Sequence, residues 1–116
     1  DHVLAFMDIM PRADGHTLVI PKTAARTILD IPPDALGELA KRVQIVGRAV
    51  VRAMKADGLT VQQFNEAAGG QVVFHLHVHL LPRRDGVKLK PHTGEMAPKD
   101  TIAANAELIR AALAAG

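Results

Sequence analysis

The chain of 116 residues contains no cysteine, no tryptophan and no tyrosine. The missing cysteine excludes disulfide bonds, thiol catalysis and zinc sites with cysteine ligands within these residues. It is also compatible with a reducing compartment, and we expect the protein to be cytoplasmic. Because only three phenylalanines are present, the hydrophobic core must consist mainly of aliphatic side chains.

An excess of charge of one sign and a long hydrophobic run are also absent. The formal net charge of +2 is too small to indicate nucleic-acid binding through bulk electrostatics. No apolar run approaches the ~18 residues of a transmembrane helix. The apolar content of 48% is that of an ordinary globular domain. We therefore expect one domain over residues 1–116, with neither nucleic acid nor a membrane among its partners.

The distribution of apolar residues predicts an α+β fold, with an antiparallel sheet and helices against one of its faces. The longest element is an amphipathic helix that begins at Pro32-Pro33-Asp34, carries apolar residues at steps of three and four as far as Met54, and stops at Gly58. A last helix begins at Pro98. Strands are predicted over residues 2–7, 16–20, 60–65 and 72–81, with one or two helical turns over 23–29, a loop over 66–70 and irregular chain over 83–97.

Three of the six histidines follow one another at a spacing of two, as His75, His77 and His79. On a strand, this spacing directs all three rings to one face and the apolar residues between them to the other. Imidazole is suited to nucleophilic attack, proton transfer and metal binding near neutral pH. A face that gives up three hydrophobic residues for three titratable rings therefore indicates a functional site rather than three structural histidines.

A metal site is one alternative for this strand. Neighbouring side chains on one face lie ~6.6 Å apart, so His75 and His79 would be ~13 Å apart, and one ion cannot easily bind all three histidines. A metal would need a ligand from another strand, with His16 or Asp8 as candidates. The other alternative is nucleophilic catalysis by the central histidine with its neighbours as helpers.

A glycine-rich loop favours the catalytic alternative. Gly69-Gly70-Gln71 comes directly before the histidine strand, and glycines allow backbone N–H groups to approach an anion closely. A phosphate bound on this loop would be well placed for attack by an imidazole of the neighbouring strand.

The pattern His-x-His-x-His followed by Leu80-Leu81 resembles the signature of the histidine triad (HIT) family of nucleotide hydrolases and transferases. Residues 6–11 and 15–22 look like its nucleoside-binding strand pair, and residues 65–82 look like its phosphate loop and catalytic strand. The details are most similar to the Hint branch and its bacterial relatives. The resemblance implies a HIT-like α+β fold and a two-fold homodimer whose long helices pack together.

The resemblance also implies catalytic roles. His77 would attack the α-phosphorus and form a nucleotidyl-histidine intermediate, which water then hydrolyses. The backbone carbonyl of His75 would fix the tautomer of His77, and His79 would contact the phosphate and the leaving group. His16 would support the triad from the neighbouring strand.

Further positions are implied for nucleotide binding, in addition to His79. Asp8 would bind the ribose hydroxyls, Phe6 and Ile9 would line the base pocket, and Asn65 with the loop backbone would hold the phosphate. The loop residues are Gly70, Gln71, Val72 and Val73. Many family members carry Ser or Thr where this chain has Val72, so one side-chain donor to the phosphate is missing.

The implied activity is hydrolysis of purine nucleoside 5′-phosphoramidates, such as AMP linked to an amine, with no cofactor or metal required for the chemistry. A dinucleoside polyphosphate hydrolase or nucleotidyl transferase stays open as an alternative, as does a nucleotide-binding regulatory module with little catalysis. The family's N-terminal helix and first strand are expected to be missing before Asp1, and a structural zinc is expected only in that missing segment. Five basic residues belong either to the leaving-group side or to the solvated surface: Arg83, Arg84, Lys88, Lys90 and His92.

Overall fold

The computed structural model describes residues 2–90 and 96–115, so the predicted role of His92 lies outside the described residues. The predicted α+β class is confirmed. In chain order the elements are β1 (Val3–Met7), β2 (Thr17–Pro21), α1 (Pro33–Met54), β3 (Gly58–Gln62), a 3₁₀ turn (Ala67–Gly69), β4 (Val78–Arg83) and α2 (Lys99–Ala114).

The four strands form one antiparallel sheet in the order β1-β2-β4-β3. The register aligns four residues across the sheet, since Phe6 pairs with Leu18, Leu18 with His79, and His79 with Gln62. Directly paired residues have side chains on the same face. His79 therefore lies in the middle of one sheet face, with a strand on either side.

The core lies between the opposite face of the sheet and α1. Helix α1 buries six residues, five of them with apolar side chains, and packs against β2, β4 and α2, while α2 also reaches β1. Among the described residues, no helix is long and apolar enough to cross a membrane. The buried residues of α1 are Leu39, Val46, Gly47, Ala49, Val50 and Met54, and the core residues of the sheet include Val19, Val78 and Leu80.

Helix α1 begins where the sequence predicts, because Pro33 is its first residue and Pro32 its N-cap. Its end differs from the prediction. The helix stops at Met54, and Lys55 takes the left-handed conformation with φ of 51°, a common helix terminator. Gly58 was expected to be the stop signal, which is wrong, since it is the first residue of β3.

The strands before and inside the site are shorter than predicted. β3 ends at Gln62 instead of residue 65, because the side-chain amides of Gln63 and Asn65 bond to each other at 2.8 Å. β4 begins at Val78 rather than at residue 72, since β3 ends opposite His79 and the N–H of Leu76 donates to the Ala25 carbonyl.

The helical turns predicted over residues 23–29 are not formed. The Asp30 carboxylate accepts the backbone N–H groups of Arg26 and Thr27 at 3.2 and 2.8 Å. A short acidic side chain that captures nearby N–H groups favours a turn over a helix. This segment thus becomes a compact connection that lies against the loop before β4.

Candidate functional site

The three histidines at a spacing of two line one cavity of about 500 Å³ on the face of the sheet opposite the helices. Only His79 belongs to β4, so the prediction of three histidines on one strand is wrong for His75 and His77. The alternation of side chains continues before the strand, because Leu76 is fully buried on the other side. The other lining residues are Phe6, Asp8, Leu18, Ile20, Phe64, Gly70, Val72 and Val73.

The ring of His77 has a defined tautomer. Its Nδ1 lies 2.7 Å from the backbone carbonyl oxygen of His75. A carbonyl oxygen can only accept, so Nδ1 carries the proton and donates it to His75. The Nε2 atom of His77 therefore keeps its lone pair, which is the requirement for a nucleophile.

His79 receives a defined tautomer through His16. The backbone N–H of Arg12 donates to Nδ1 of His16 at 3.1 Å, which leaves the proton of this buried ring on Nε2. Nε2 of His16 lies 3.0 Å from Nδ1 of His79 and donates to it. The proton of His79 is then on Nε2. The ring centroids of His77 and His79 are 4.9 Å apart. The lone pair on Nε2 of His77 and the Nε2–H group of His79 are therefore close together.

His75 contributes differently from the other two. Its side chain lines the cavity, but its Nε2 atom is buried and has no hydrogen-bond partner among the described residues. Its backbone carbonyl is the group that orients His77.

Asp8, His16 and His79 form the one group in the described chain that could hold a metal ion, with ligand atoms within 4.8 Å of one another. A metal-bound imidazole normally donates its second N–H to an acceptor. Nδ1 of His16 instead accepts the N–H of Arg12. The hydrogen bonding of His16 therefore does not match that of a metal ligand.

The loop before the histidines offers fewer donors than its glycines suggest. The N–H of Gly70 donates to the Ala67 carbonyl and that of Gln71 to the Glu66 carbonyl, each at 3.0 Å. The N–H groups of Val72 and Val73 donate to no acceptor within the described chain. These two residues line the cavity, so their N–H groups remain as donors for an anion.

Four predicted site residues do not line the cavity, and one of them is the buried His16, which contacts it through His79. Ile9 is 54% exposed, and its carbonyl accepts the N–H of Ala97. The Asn65 side chain accepts the backbone N–H of Ile28 at 3.0 Å. The Gln71 side chain is buried behind the loop.

Sequence reasoning missed three lining residues. Leu18 and Ile20 alternate with the buried Val19 on β2, and this alternation was a usable signal for a second apolar face. Phe64 lies edge-on to His79 with ring centroids 5.8 Å apart. Its signal was weaker, namely that one of only three phenylalanines stands beside the predicted phosphate loop.

An ion pair braces the loop from outside. The Arg26 guanidinium makes hydrogen bonds of 2.7 to 3.0 Å with the Glu66 carboxylate and lies over the Phe74 ring. The hydrogen bond from Arg26 holds the pKa of the Glu66 carboxyl below its ordinary value, and the same bond raises the pKa of Arg26. The carboxylate therefore stays ionised and bonded at neutral pH.

The basic residues at the end of β4 and in the chain that follows it lie apart from the histidine cavity. Arg83, Arg84, Lys88 and Lys90 line a second cavity of about 290 Å³ together with Arg12. Arg84 donates to the carbonyls of Met54 and Lys55 at the end of α1, which is a structural use of its charge.

A family model described as HIT domain matches residues 1–86. The chain is 35% identical over 85 residues to adenylylsulfatase HINT3 of Arabidopsis thaliana, which covers 73% of this chain and 43% of that protein. It is 40% identical over 81 residues to adenosine 5′-monophosphoramidase HNT1 of Saccharomyces cerevisiae, covering 70% of this chain and 49% of that protein. These matches span less than half the length of either relative.

Solved structures share the whole fold. A Hit-like protein from Bartonella henselae, described as involved in cell-cycle regulation and solved with an unknown ligand, is 51% identical and superposes with a TM-score of 0.90. The superposition covers 97% of this chain and 81% of that chain. The similarity therefore includes the sheet, both helices and the segment that carries the three histidines.

Proposed function

The chain belongs to the HIT family, whose members are generally nucleotide hydrolases or nucleotide-binding proteins, and on that premise we propose that it hydrolyses purine nucleoside 5′-phosphoramidates through a nucleotidyl-histidine intermediate. One observation carries the proposal. Nδ1 of His77 donates to the His75 carbonyl, which leaves a nucleophilic nitrogen beside the N–H of His79.

In the first step, Nε2 of His77 attacks the α-phosphorus of the substrate. A P–N bond to His77 forms while the P–N bond to the leaving amine breaks. The positive charge on the His77 ring is stabilised by the His75 carbonyl oxygen, 2.7 Å from Nδ1. Water then attacks the phosphorus, the bond to His77 breaks, and the nucleoside monophosphate leaves. The two steps replace one more difficult displacement.

The leaving amine needs a proton, which water supplies, and His79 is the proposed hydrogen-bond donor to the leaving nitrogen. Its Nε2–H group faces the same cavity as His77. His79 keeps its own proton, because its Nδ1 accepts from His16; water protonates the leaving nitrogen, and the hydroxide that remains attacks the phosphorus in the second step. The hydrogen bond from His16 keeps the His79 proton on Nε2 between turnovers.

The remaining lining residues suit a nucleotide. Phe6, Leu18 and Ile20 would contact the base, and the Asp8 carboxylate would accept from the ribose hydroxyls. The N–H groups of Val72 and Val73 would bind the phosphate oxygens, which places preorganised donors where negative charge develops. Neither Ile9 nor Asn65 has a role in this arrangement, and no metal is required.

Phosphoramidates and related adenylyl compounds can be compared directly. Turnover of AMP-amide, AMP linked to an alkylamine, adenylyl sulfate and a diadenosine polyphosphate should be measured with one preparation. We expect the highest kcat/KM for the amides, and an adenylyl group on His77 after quenching in denaturant at alkaline pH, since P–N bonds to histidine are acid-labile.

Three results would contradict the proposal. Faster turnover of the diadenosine polyphosphate would favour the alternative hydrolase. Binding of AMP without turnover or adduct would favour a nucleotide-binding module. Loss of activity on addition of a chelator would indicate a metal enzyme.

We also propose the two-fold homodimer that the family resemblance implies. β3 is an edge strand of the described sheet, and an apolar groove of about 500 Å³ runs between it and α1. Val61 in this groove is 52% exposed. A second copy would cover this surface. Sedimentation analysis should give a dimer for the parent and a monomer for Val61→Asp, and a monomeric parent would contradict the proposal.

A further inference from the structure

Gln71 is the most buried residue of the loop before the histidines, with 4% of its surface exposed. The residues that follow it, Val72 and Val73, are exposed to 83% and 62%. Burial therefore does not hold this stretch in place. It nevertheless leads directly to the His75 carbonyl that orients His77. The position of that carbonyl must be set by contacts at the two ends of the stretch.

The side-chain amide of Gln71 makes the contacts at the first end. Its Nε2 donates to the carbonyls of Arg26 at 2.8 Å and Val73 at 3.1 Å, and its Oε1 accepts the N–H of Glu66 at 2.6 Å. One amide thus joins three separate parts of the backbone. Buried amides satisfied in this way define a single conformation, because any other arrangement leaves polar groups unpaired.

Ala25, the residue before Arg26, makes the contact at the second end of the stretch, at Leu76. Its carbonyl accepts the N–H of Leu76 at 2.9 Å. Two consecutive carbonyls, of Ala25 and Arg26, therefore bracket residues 71–76. Between these points, the Arg26 guanidinium lies 4.3 Å from the centroid of the Phe74 ring, a cation–π contact.

Backbone strain at Glu66 indicates that these contacts are strong together. Glu66 has φ of 64° and ψ of 164°, a region that is essentially restricted to glycine. Such a conformation persists only where the surroundings enforce it. The N–H of Glu66 is bonded to Gln71 and its carboxylate to Arg26. The strained conformation of Glu66 places its N–H group at Gln71 and its carboxylate at Arg26.

We infer that Gln71 is a positioning residue for His77. Its side-chain amide, bonded to the backbone of Glu66, Arg26 and Val73, sets the place of the His75 carbonyl together with the Leu76–Ala25 hydrogen bond, and thereby sets the Nδ1–H tautomer of His77. The catalytic consequence rests on the proposed function. If the carbonyl moves, His77 can carry its proton on Nε2. In that tautomer the Nε2 atom has no lone pair with which to attack the phosphorus.

Two variants test this inference. Gln71→Glu keeps the acceptor toward Glu66 but repels the carbonyls of Arg26 and Val73. Gln71→Met has a similar length, carries no charge to bury, and lacks all three hydrogen bonds. Long-range ¹H–¹⁵N correlation spectra of the histidine rings report directly which nitrogen of His77 is protonated, and a His77→Ala sample assigns the signals.

We expect the parent to show the Nδ1–H tautomer of His77 and both variants to show a mixture with the Nε2–H form. The kcat for AMP-amide should fall about 10- to 100-fold, the range expected for a misplaced reacting group, with KM changed much less. Gln63→Glu is a matched control, because this amide is also partly buried and paired, but with Asn65. It should leave the tautomer unchanged.

The inference is overturned if the His77 tautomer stays unchanged in both folded variants, or if Gln63→Glu shifts it equally. It is also overturned if both variants unfold, which would assign Gln71 to the core rather than to the site. The spectra need no substrate. A parent that fails to hydrolyse AMP-amide would contradict the proposed function alone, and the tautomer measurement would still decide the role of Gln71.

Discussion

His77 and His79 are two residues apart in the chain, but the fold holds them in different ways. His79 lies inside β4, with backbone pairing to Leu18 on one side and to Gln62 on the other. His77 precedes the strand and depends on a single carbonyl, which is itself placed by loop contacts. The sheet thus orients the proposed hydrogen-bond donor, whereas the loop orients the proposed nucleophile.

The largest effect on turnover is expected for His77, the histidine that the loop positions. His77→Ala removes the attacking nitrogen, so turnover of AMP-amide should fall about 10⁴-fold or more, and no adenylyl adduct should form. His75→Ala keeps the backbone carbonyl that His77 uses and should retain activity within about tenfold. Quenched assays of AMP-amide turnover and intact-protein mass spectrometry of the adduct check the two variants. Equal losses in the two variants would mean that the His75 side chain takes part in the reaction.

For His79, the histidine that β4 positions, the effect of a substitution on the rate should depend on the leaving group. His79→Ala removes the hydrogen-bond donor to the leaving nitrogen, and the rate should fall about 10²- to 10³-fold for a basic alkylamine. An aryl ester of AMP, whose leaving group needs no proton, should lose much less. The measurement is kcat/KM across a series of leaving groups. A uniform loss for all of them would assign His79 to phosphate binding instead.

His16 links His79 to the backbone of Arg12, and substitution of His16 should lower the rate less. His16→Phe deletes the donor to Nδ1 of His79, a loss of about one hydrogen bond or about tenfold in kcat for alkylamines. His16→Gln keeps an N–H donor and should lose less. If the two variants are equally slow, the hydrogen bond to His79 is not the reason for the loss.

The smallest effect concerns the brace around the loop. Glu66 and Asp30 have a pKa held below their ordinary values of 4.5 and 3.8, Glu66 by Arg26 and Asp30 by backbone N–H groups. The resulting stabilisation is present above these ordinary values and is lost as the pH falls through the lowered ones. Between pH 6 and pH 3, the parent should therefore lose a few degrees more in Tm than Glu66→Gln. Parallel curves would show that the ion pair contributes nothing to stability.

Much of the fold follows from local pattern. The prolines before α1 and α2 begin both helices as predicted, because proline fits a first helical turn. The ends of β3 and β4 were misplaced, since strands end where their partners end, and partners come from distant parts of the chain. The predicted helical turns over residues 23–29 failed because a single carboxylate, Asp30, captures two N–H groups.

The site shows the same division. The spacing of the histidines predicted that their rings share one face, and His75, His77 and His79 all line one cavity. Phe64 was missed because its approach to His79 depends on a turn that the sequence pattern does not show. The backbone of Gln71 was expected at the phosphate, but its N–H donates to the Glu66 carbonyl, and its side chain bonds to the Arg26 carbonyl.

The chemical groups available to this protein follow from its sequence: no thiol, three alternating imidazoles, and a glycine loop before them. These features are local, so they can be read along the chain. Which nitrogen of each ring carries a proton depends instead on tertiary partners such as Arg12, His16 and the Ala25–Arg26 segment. Those partners are distant in sequence and meet the histidines only when the sheet and the loop are assembled.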